Sequence, residues 1–399
     1  MYLIKTIFFV SIFTVAIFVN CYAMPSEVDL NQKLQKTVDE DRVKYNLPAL
    51  SVSIRVPNKK YNLNFVSGCK SLSASQKITP NTLFQVGSIT KTFTAALVLK
   101  LSENGQLSLN DTLGQWLPQY PKWHAITIRE LLNHTSGVYN YIDAKGFWQE
   151  LKQQPNYQWQ LSQLADLAYQ YHDYFEAGKG YQYTNTDYIL LGLVLEKITK
   201  KSLTTLYKDN LFAGLHYTIY APYCYSQTLM EKIAQGYDDE GTFGYGVDVS
   251  NVNTSFAASA GAILSTPNDV VTFLKQLFEG HILSKRSLAL MMQLVSIKTG
   301  KVLDNQDIAA MITNKEWEDI GEGFGLGLVH IKDYGFVWMH AGGMPGYQSM
   351  YSYNPKKKII LALAYNKQPK QNFIFMKIAN DLYQVLDSEN QLSAPGCPG

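Results

Sequence analysis

Residues 83–105 read Leu83-Phe84-Gln85-Val86-Gly87-Ser88-Ile89-Thr90-Lys91-Thr92-Phe93-Thr94-Ala95-Ala96-Leu97-Val98-Leu99-Lys100-Leu101-Ser102-Glu103-Asn104-Gly105. An apolar run of four residues ends at a glycine. Beyond it, apolar residues at 93, 97, 98 and 101 recur at helical spacing, and Asn104-Gly105 is a helix stop. Ser88 and Lys91 therefore fall one turn apart on a single face, at the positive end of the helix dipole. There the backbone N–H of Ser88 is placed to donate to an oxyanion.

The Ser-x-x-Lys spacing alone decides nothing. With 26 serines and 31 lysines in 399 residues, about two such tetrapeptides arise by chance. Two are present, the other being Ser67-Gly68-Cys69-Lys70. Ser67 ends the alternating run Tyr61-Asn62-Leu63-Asn64-Phe65-Val66-Ser67, and in extended chain positions three apart face opposite ways. Lys91 needs help to act as a base, since an ordinary lysine with a pKa near ~10.4 is almost wholly protonated at pH 7. Desolvation at a cleft floor would lower that value, and a nearby phenol could share the proton. Tyr183-Thr184-Asn185 offers such a phenol and an orienting amide, although in a chain with 27 tyrosines a Tyr-x-Asn arises easily.

Context strengthens the reading. The stretch 83–91, then Ile126-Thr127-Ile128-Arg129-Glu130-Leu131-Leu132-Asn133-His134-Thr135-Ser136-Gly137, resembles the penicillin-recognising serine hydrolases. Within them it is most similar to the branch holding class C β-lactamases, D-Ala-D-Ala carboxypeptidases and related esterases. Further matches are Gly178 to Tyr188, Ser259 to Asp269, Phe324-Gly325-Leu326-Gly327 and His340-Ala341-Gly342-Gly343-Met344-Pro345-Gly346-Tyr347, in one order along nearly the whole chain after residue 40. The resemblance implies an acylated Ser88, with Lys91 and Tyr183 sharing general-base and general-acid duty. It also implies an oxyanion hole of the Ser88 and Gly343 N–H groups, with Asn185, His340, Ala341 and Gly342 contributing to substrate binding. His134 reads differently, as part of a helix end and glycine turn with a structural role.

Lys298-Thr299-Gly300 spells the lysine form that many β-lactamases carry where His340-Ala341-Gly342 matches, but it follows a helix-like stretch in polar surroundings. His340 instead follows Phe336-Val337-Trp338-Met339 and precedes Ser349 to Tyr353 and Ile359 to Ala364, a meander in which an edge strand can line a cleft. His340 is expected at the site. Histidine in place of lysine removes a fixed cation. The middle residue is usually threonine or serine, whose hydroxyl binds a substrate carboxylate. Ala341 lacks it, and a lost bond to a charged group is worth about 1.5–3 kcal/mol. Neutral esters or amides become more credible substrates.

Other chemistries find little support. Seven histidines show no paired-ligand spacing, so neither metal nor cofactor is expected. Gly321 to Gly327 misses the dinucleotide spacing, and no Gly-x-Ser-x-Gly elbow surrounds Ser88. Residues 1–23 read as an export signal, with Lys5, an apolar stretch from Ile7 to Val19 and Cys21-Tyr22-Ala23 at the end. A periplasmic or secreted protein is expected, near the cell wall in a bacterial host and not integral to the membrane once the signal is cleaved. An uncleaved anchor is the alternative. Loss of Lys5 takes the net charge from +2 to +1, which does not favour nucleic acid as a partner. Lys356-Lys357-Lys358 reads as a solvated turn. Cys69, Cys224 and Cys397 remain, with a Cys69–Cys224 bridge conceivable but unsupported.

The strand patterns cluster at 48–67 and 324–365, with helical patterns such as Leu161 to Tyr171 and Tyr188 to Ile198 between them. The expected fold is α/β (α+β), an antiparallel sheet flanked by helices with an inserted, mostly helical subdomain. Residues 24–105 and 255–399 would form the discontinuous α/β part and 106–254 the insertion, Phe373 to Leu386 a closing helix, and the cleft between them the site. The expected function is a secreted serine acyl hydrolase, foremost a D-Ala-D-Ala carboxypeptidase-like or D-amino-acid peptidase. Esterase, class C-like β-lactamase and a non-catalytic ligand-binding protein are the alternatives.

Overall fold

The computed structural model of the chain describes residues 27–393, apart from 58, 74, 317–318, 332–333 and 369–372. The export segment expected at 1–23, like Cys397, lies outside the described residues. Six antiparallel strands make one sheet. They are β1 (Ala49–Arg55), β2 (Leu63–Gly68), β3 (Gly327–Ile331), β4 (Gly335–Met344), β5 (Tyr347–Asn354) and β6 (Ile359–Tyr365), in the order β2-β1-β6-β5-β4-β3. The N-terminal pair joins the C-terminal four where β1 meets β6, Leu50 lying opposite Tyr365. This is the antiparallel sheet flanked by helices that the strand patterns implied.

The two-residue period of the strands sorts their side chains between two cores. On β6, Leu361 and Leu363 join the core beneath helices α1 (Glu27–Lys44) and α5 (Ile374–Ser393), with Leu34, Val38, Ile378 and Leu382. Ala362 and Ala364 face the other way, into the larger core. Each leucine so buried contributes about 1.5–3 kcal/mol relative to exposure. On that second face lies helix α4 (Pro267–Phe278), packed on β1 and β6. Its Phe273 stacks on Phe93 of helix α2 (Thr90–Glu103) at 3.7 Å between ring centroids.

Helix α2 is buried on nearly every side rather than along one stripe, from Thr90 through Leu99. Its threonines make this tolerable, because each buried hydroxyl needs a partner. Thr92 Oγ1 donates to Gly325 O at 2.6 Å and Thr94 Oγ1 to Ser259 O at 2.7 Å, while Thr90 Oγ1 accepts from Ile263 N at 3.1 Å. Ser88 precedes the helix in a 3-10 turn, Gly87–Ile89.

Residues 106–254 carry mostly helices, of which Leu161–Tyr169 and α3 (Asn185–Thr199) are the longest. Short strands stitch this stretch to the rest. Ile219–Tyr220 and Phe84–Gln85 both pair with Ile263–Ser265, and Tyr237–Asp238 pairs with Lys367–Gln368. Cys69 and Cys224 are both free thiols, so the conceivable bridge does not form. Among the described residues no helix is long and apolar enough to cross a membrane, and no group of three or more His, Cys, Asp or Glu is arranged to hold a metal.

Candidate active site

The turn holding Ser88 and the far half of β4 meet through two glycines. A Cβ on Gly342 would lie 1.9 Å from Val86 O and 2.9 Å from Ser88 N. One on Gly87, whose φ is +52°, would lie 2.7 Å from Gly343 N. Only chain without side chains can approach so closely. Strand β4 is not the sheet edge over its whole length. Its outer neighbour β3 pairs with Gly335 to Met339 and no further, so residues 340–344 are hydrogen-bonded to β5 alone. That half-strand lines the cleft.

Lys91 Nζ lies 3.1 Å from Ser88 Oγ, 2.7 Å from Asn185 Oδ1 and 3.0 Å from Ala260 O. Asn185 opens α3, and its amide orientation is set by Asn140 Oδ1, which accepts from Asn185 N at 3.1 Å and Nδ2 at 3.4 Å. Lys91 is wholly buried, and that burial pushes its pKa down to about 7, against the opposing charges of Glu322 and Asp187. An uncharged lysine has two N–H bonds and one lone pair. Two carbonyl oxygens take the N–H bonds, so the lone pair faces the Ser88 hydroxyl, which then donates to it.

Tyr183 completes this group, its ring centroid 4.8 Å from Lys91 Nζ. Burial, reinforced by the charge of Glu322, raises the phenol's pKa, while a hydrogen bond with Ser88 works the other way. Tyr183 therefore keeps its proton. His340 is held at about 4, chiefly by burial and then by Lys91, so its ring is neutral at pH 7. Its Nδ1 lies 2.7 Å from Ala341 O.

Behind Tyr183 lies a buried polar layer. The His134 ring lies 4.5 Å from that of Tyr183, tilted by 46°, with Nδ1 2.9 Å from Asp187 Oδ2. Ser136 Oγ donates to Asp187 Oδ1 at 2.5 Å. Burial keeps His134 neutral, its pKa well below the ordinary value. Glu322 Oε2 sits 3.8 Å from His134 Nε2, and burial lifts the Glu322 pKa to about 7. Sequence reasoning passed over Glu322 because it attended to the glycines around it. A lone acid inside an otherwise apolar, glycine-rich run was the available signal.

The two decoys lie elsewhere. Ser67 Oγ accepts from Arg42 Nε at 2.9 Å, and Lys70 Nζ donates to Glu231 O, so that pair never meets. Lys298 projects from a turn with 72% of its side chain exposed, facing Asp319 at 3.7 Å.

A family model described as Beta-lactamase matches residues 34–384. The chain belongs to the beta-lactamase family. Its α/β fold, with antiparallel sheets and many helices, is the fold of that family. It is 27% identical to Penicillin-binding protein 4* of Bacillus subtilis over 303 residues, 71% of this chain and 60% of that protein. It is 30% identical to Protein flp of Staphylococcus aureus over 195 residues, 48% of this chain and 38% of that one. The chain thus spans less than two thirds of the length of these curated relatives. A D-stereospecific amidohydrolase from Streptomyces sp. superposes with a TM-score of 0.72 at 26% identity, covering 84% of this chain and 94% of that one. The D-amino acid amidase from Ochrobactrum anthropi SV3, solved with D-phenylalanine, superposes with a TM-score of 0.76 over 90% of this chain and 99% of that one. At 23% identity the second likeness is one of fold alone.

Proposed function

We propose that this chain is a secreted serine acyl hydrolase acting on amides or short peptides of D-amino acids through an acyl-Ser88 intermediate. The observation that carries the reading is buried Lys91, its Nζ 3.1 Å from Ser88 Oγ and its pKa lowered to about 7, so that a large fraction is free base near neutrality. Ser88 Oγ adds to the acyl carbon as its proton passes to Lys91 Nζ. The N–H groups of Ser88 and Gly343 hold the oxyanion that forms. Collapse breaks the bond to the leaving nitrogen, which takes the Tyr183 proton, and Tyr183 recovers one from Lys91. Water then adds to the acyl carbon with Lys91 again as base, and Ser88 leaves with a proton restored.

The aminoacyl part of the reading is supported by the chamber beside Ser88, of about 400 Å³, and the D configuration by the Streptomyces likeness. Tyr141, Trp148 and Phe256 line the chamber as an apolar surface for a side chain, and Glu240 adds a carboxylate that can face a free α-ammonium group. The neighbouring Asp238 spends its oxygens on the backbone N–H groups of Glu240, Gly241 and Phe243. Intact-mass spectra of protein quenched seconds after mixing with D-phenylalanine p-nitroanilide should show a D-phenylalanyl adduct on Ser88. Turnover of the L-enantiomer at the same rate, with no adduct from the D-form, would discard the reading. Export remains proposed from residues 1–23 and is checked by fractionating cells that express the full chain.

Esterase action is the second reading, and Ala341 favours it. Ala341 has no hydroxyl for a substrate carboxylate, and neutral His340 beside it brings no charge. Ala341→Thr should raise kcat/KM for carboxylate-bearing peptides over that for neutral esters by one to two decades, at about 1.5–3 kcal/mol. A flat ratio would show that position 341 does not read the carboxylate.

A further inference from the structure

Tyr183 is a wall shared by two chambers. One is the chamber of Ser88. The other, on the far side of Tyr183, has a volume of about 730 Å³ and is also bounded by His340 and Ala341. Ile320, Leu328, Val329, Phe375 and Met376 make most of its surface apolar. Tyr181, His330, His340 and Glu322 interrupt that surface with polar groups, of which the last two carry buried polar atoms without a hydrogen bond. His340 is only 7% exposed and its Nε2 has no hydrogen-bond partner among the described residues. Glu322 leaves 23% of its side chain open, while its Oε2 is buried and likewise unpartnered. An unpaired polar atom in such a wall costs free energy until a ligand supplies its complement.

We propose that this second chamber receives the leaving group of the substrate, and that it selects a bulky apolar amine or alcohol without a carboxylate. The inference rests on the acyl-hydrolase reading above. A general acid has to touch the atom that departs, so with Tyr183 as that acid the bond to the leaving atom breaks at the boundary between the chambers. The acyl part, anchored on Ser88 and Gly343, then fills the first chamber, and what leaves extends past Tyr183 into the second. The size of that chamber is in the range of small-molecule pockets. Its chemistry disfavours an anion, because it holds the carboxyl group of Glu322 and neither a lysine nor an arginine among the lining residues. A hydrogen-bond donor on the leaving group can instead meet the part of Glu322 that stays open.

The test holds the acyl group constant and varies what departs. D-Phenylalanine methylamide, D-phenylalanine 4-phenylbutylamide and the dipeptide D-Phe-D-Phe are compared by kcat/KM. The phenylbutyl amide should exceed the methylamide by about tenfold or more, since burial of two methylenes alone is worth about that factor. It should exceed the dipeptide by a similar margin. Leu328→Trp, which fills the chamber, should collapse the phenylbutyl-to-methyl ratio toward one. Glu322→Gln should narrow the gap between the phenylbutyl amide and the dipeptide. Turnover of the methylamide with a phenylbutyl-to-methyl ratio near one, or a ratio indifferent to Leu328→Trp, overturns this inference and leaves the D-aminoacyl reading standing. Absence of acyl-Ser88 with all three substrates overturns both.

Discussion

Ser88→Ala is expected to lower kcat by on the order of 10^5–10^6 and to abolish the acyl adduct in an intact-mass spectrum. The loss is that large because Lys91, Tyr183 and the oxyanion N–H groups act on a bond to Ser88 Oγ, and without the oxygen no covalent route exists. What remains is the modest acceleration that binding and oxyanion stabilisation give to direct attack by water. Ser67→Ala is the matched control. Ser67 is 8% exposed and its Oγ serves Arg42. Removing it should cost about 1–3 kcal/mol of stability and leave kcat within twofold. If Ser67→Ala destroyed turnover and Ser88→Ala preserved it, the assignment of the nucleophile would fall.

Replacement of Lys91 should have the next largest effect. Lys91→Met fills the same buried space without a base, and kcat/KM should fall by about 10^3–10^4, near the upper range for one general base. The unmodified protein should show a matching pH dependence. Lys91 is a base only when deprotonated, and its pKa is about 7, so kcat/KM should rise with pH through about 7 and level off above it. Glu322 also titrates at about 7 within the same network, so the midpoint belongs to the two groups together. His340, at about 4, should not contribute to that limb. A rate flat from pH 5 to 9, or Lys91→Met with a tenth of normal activity, would show that something else activates Ser88.

The parts of the molecule readable in advance are those whose pattern is local. Alternation at Leu50, Val52 and Ile54 reports a strand, although Ser51 and Ser53 between them are buried too, and the continuous apolar run of β6 reports burial on both faces. The helix after Ser88 announces itself by spacing and by Asn104-Gly105. Helix α1 carried a signal that was not read. Leu30, Leu34 and Val38 recur every four residues, and Lys33 pairs with Asp29 at 2.8 Å, but the polar residues between them mask the stripe. Glu322 stands out in its glycine-rich run, but neither its partners nor those of Asn140 follow from their neighbours in sequence. Each acquires its position only when segments far apart in the chain close around Tyr183 and Asn185. The start of β3 at Gly327, opposite Met339, which leaves residues 340–344 open to the cleft, is likewise a product of register between strands.

The junction between β1 and β6 bears on how the molecule is made. Ala49 N donates to Asn366 Oδ1 at 2.8 Å, between residues 317 positions apart. During synthesis Ala49 emerges 317 residues ahead of Asn366. The hairpin of β1 and β2 then waits with one row of N–H and C=O groups unpaired, an invitation to pairing with another chain. Closure over such a distance is slow as well. Yield from an expression host should therefore depend on how well the early hairpin is shielded until β6 arrives, and lower temperature or a holding chaperone should help more than any change near the cleft.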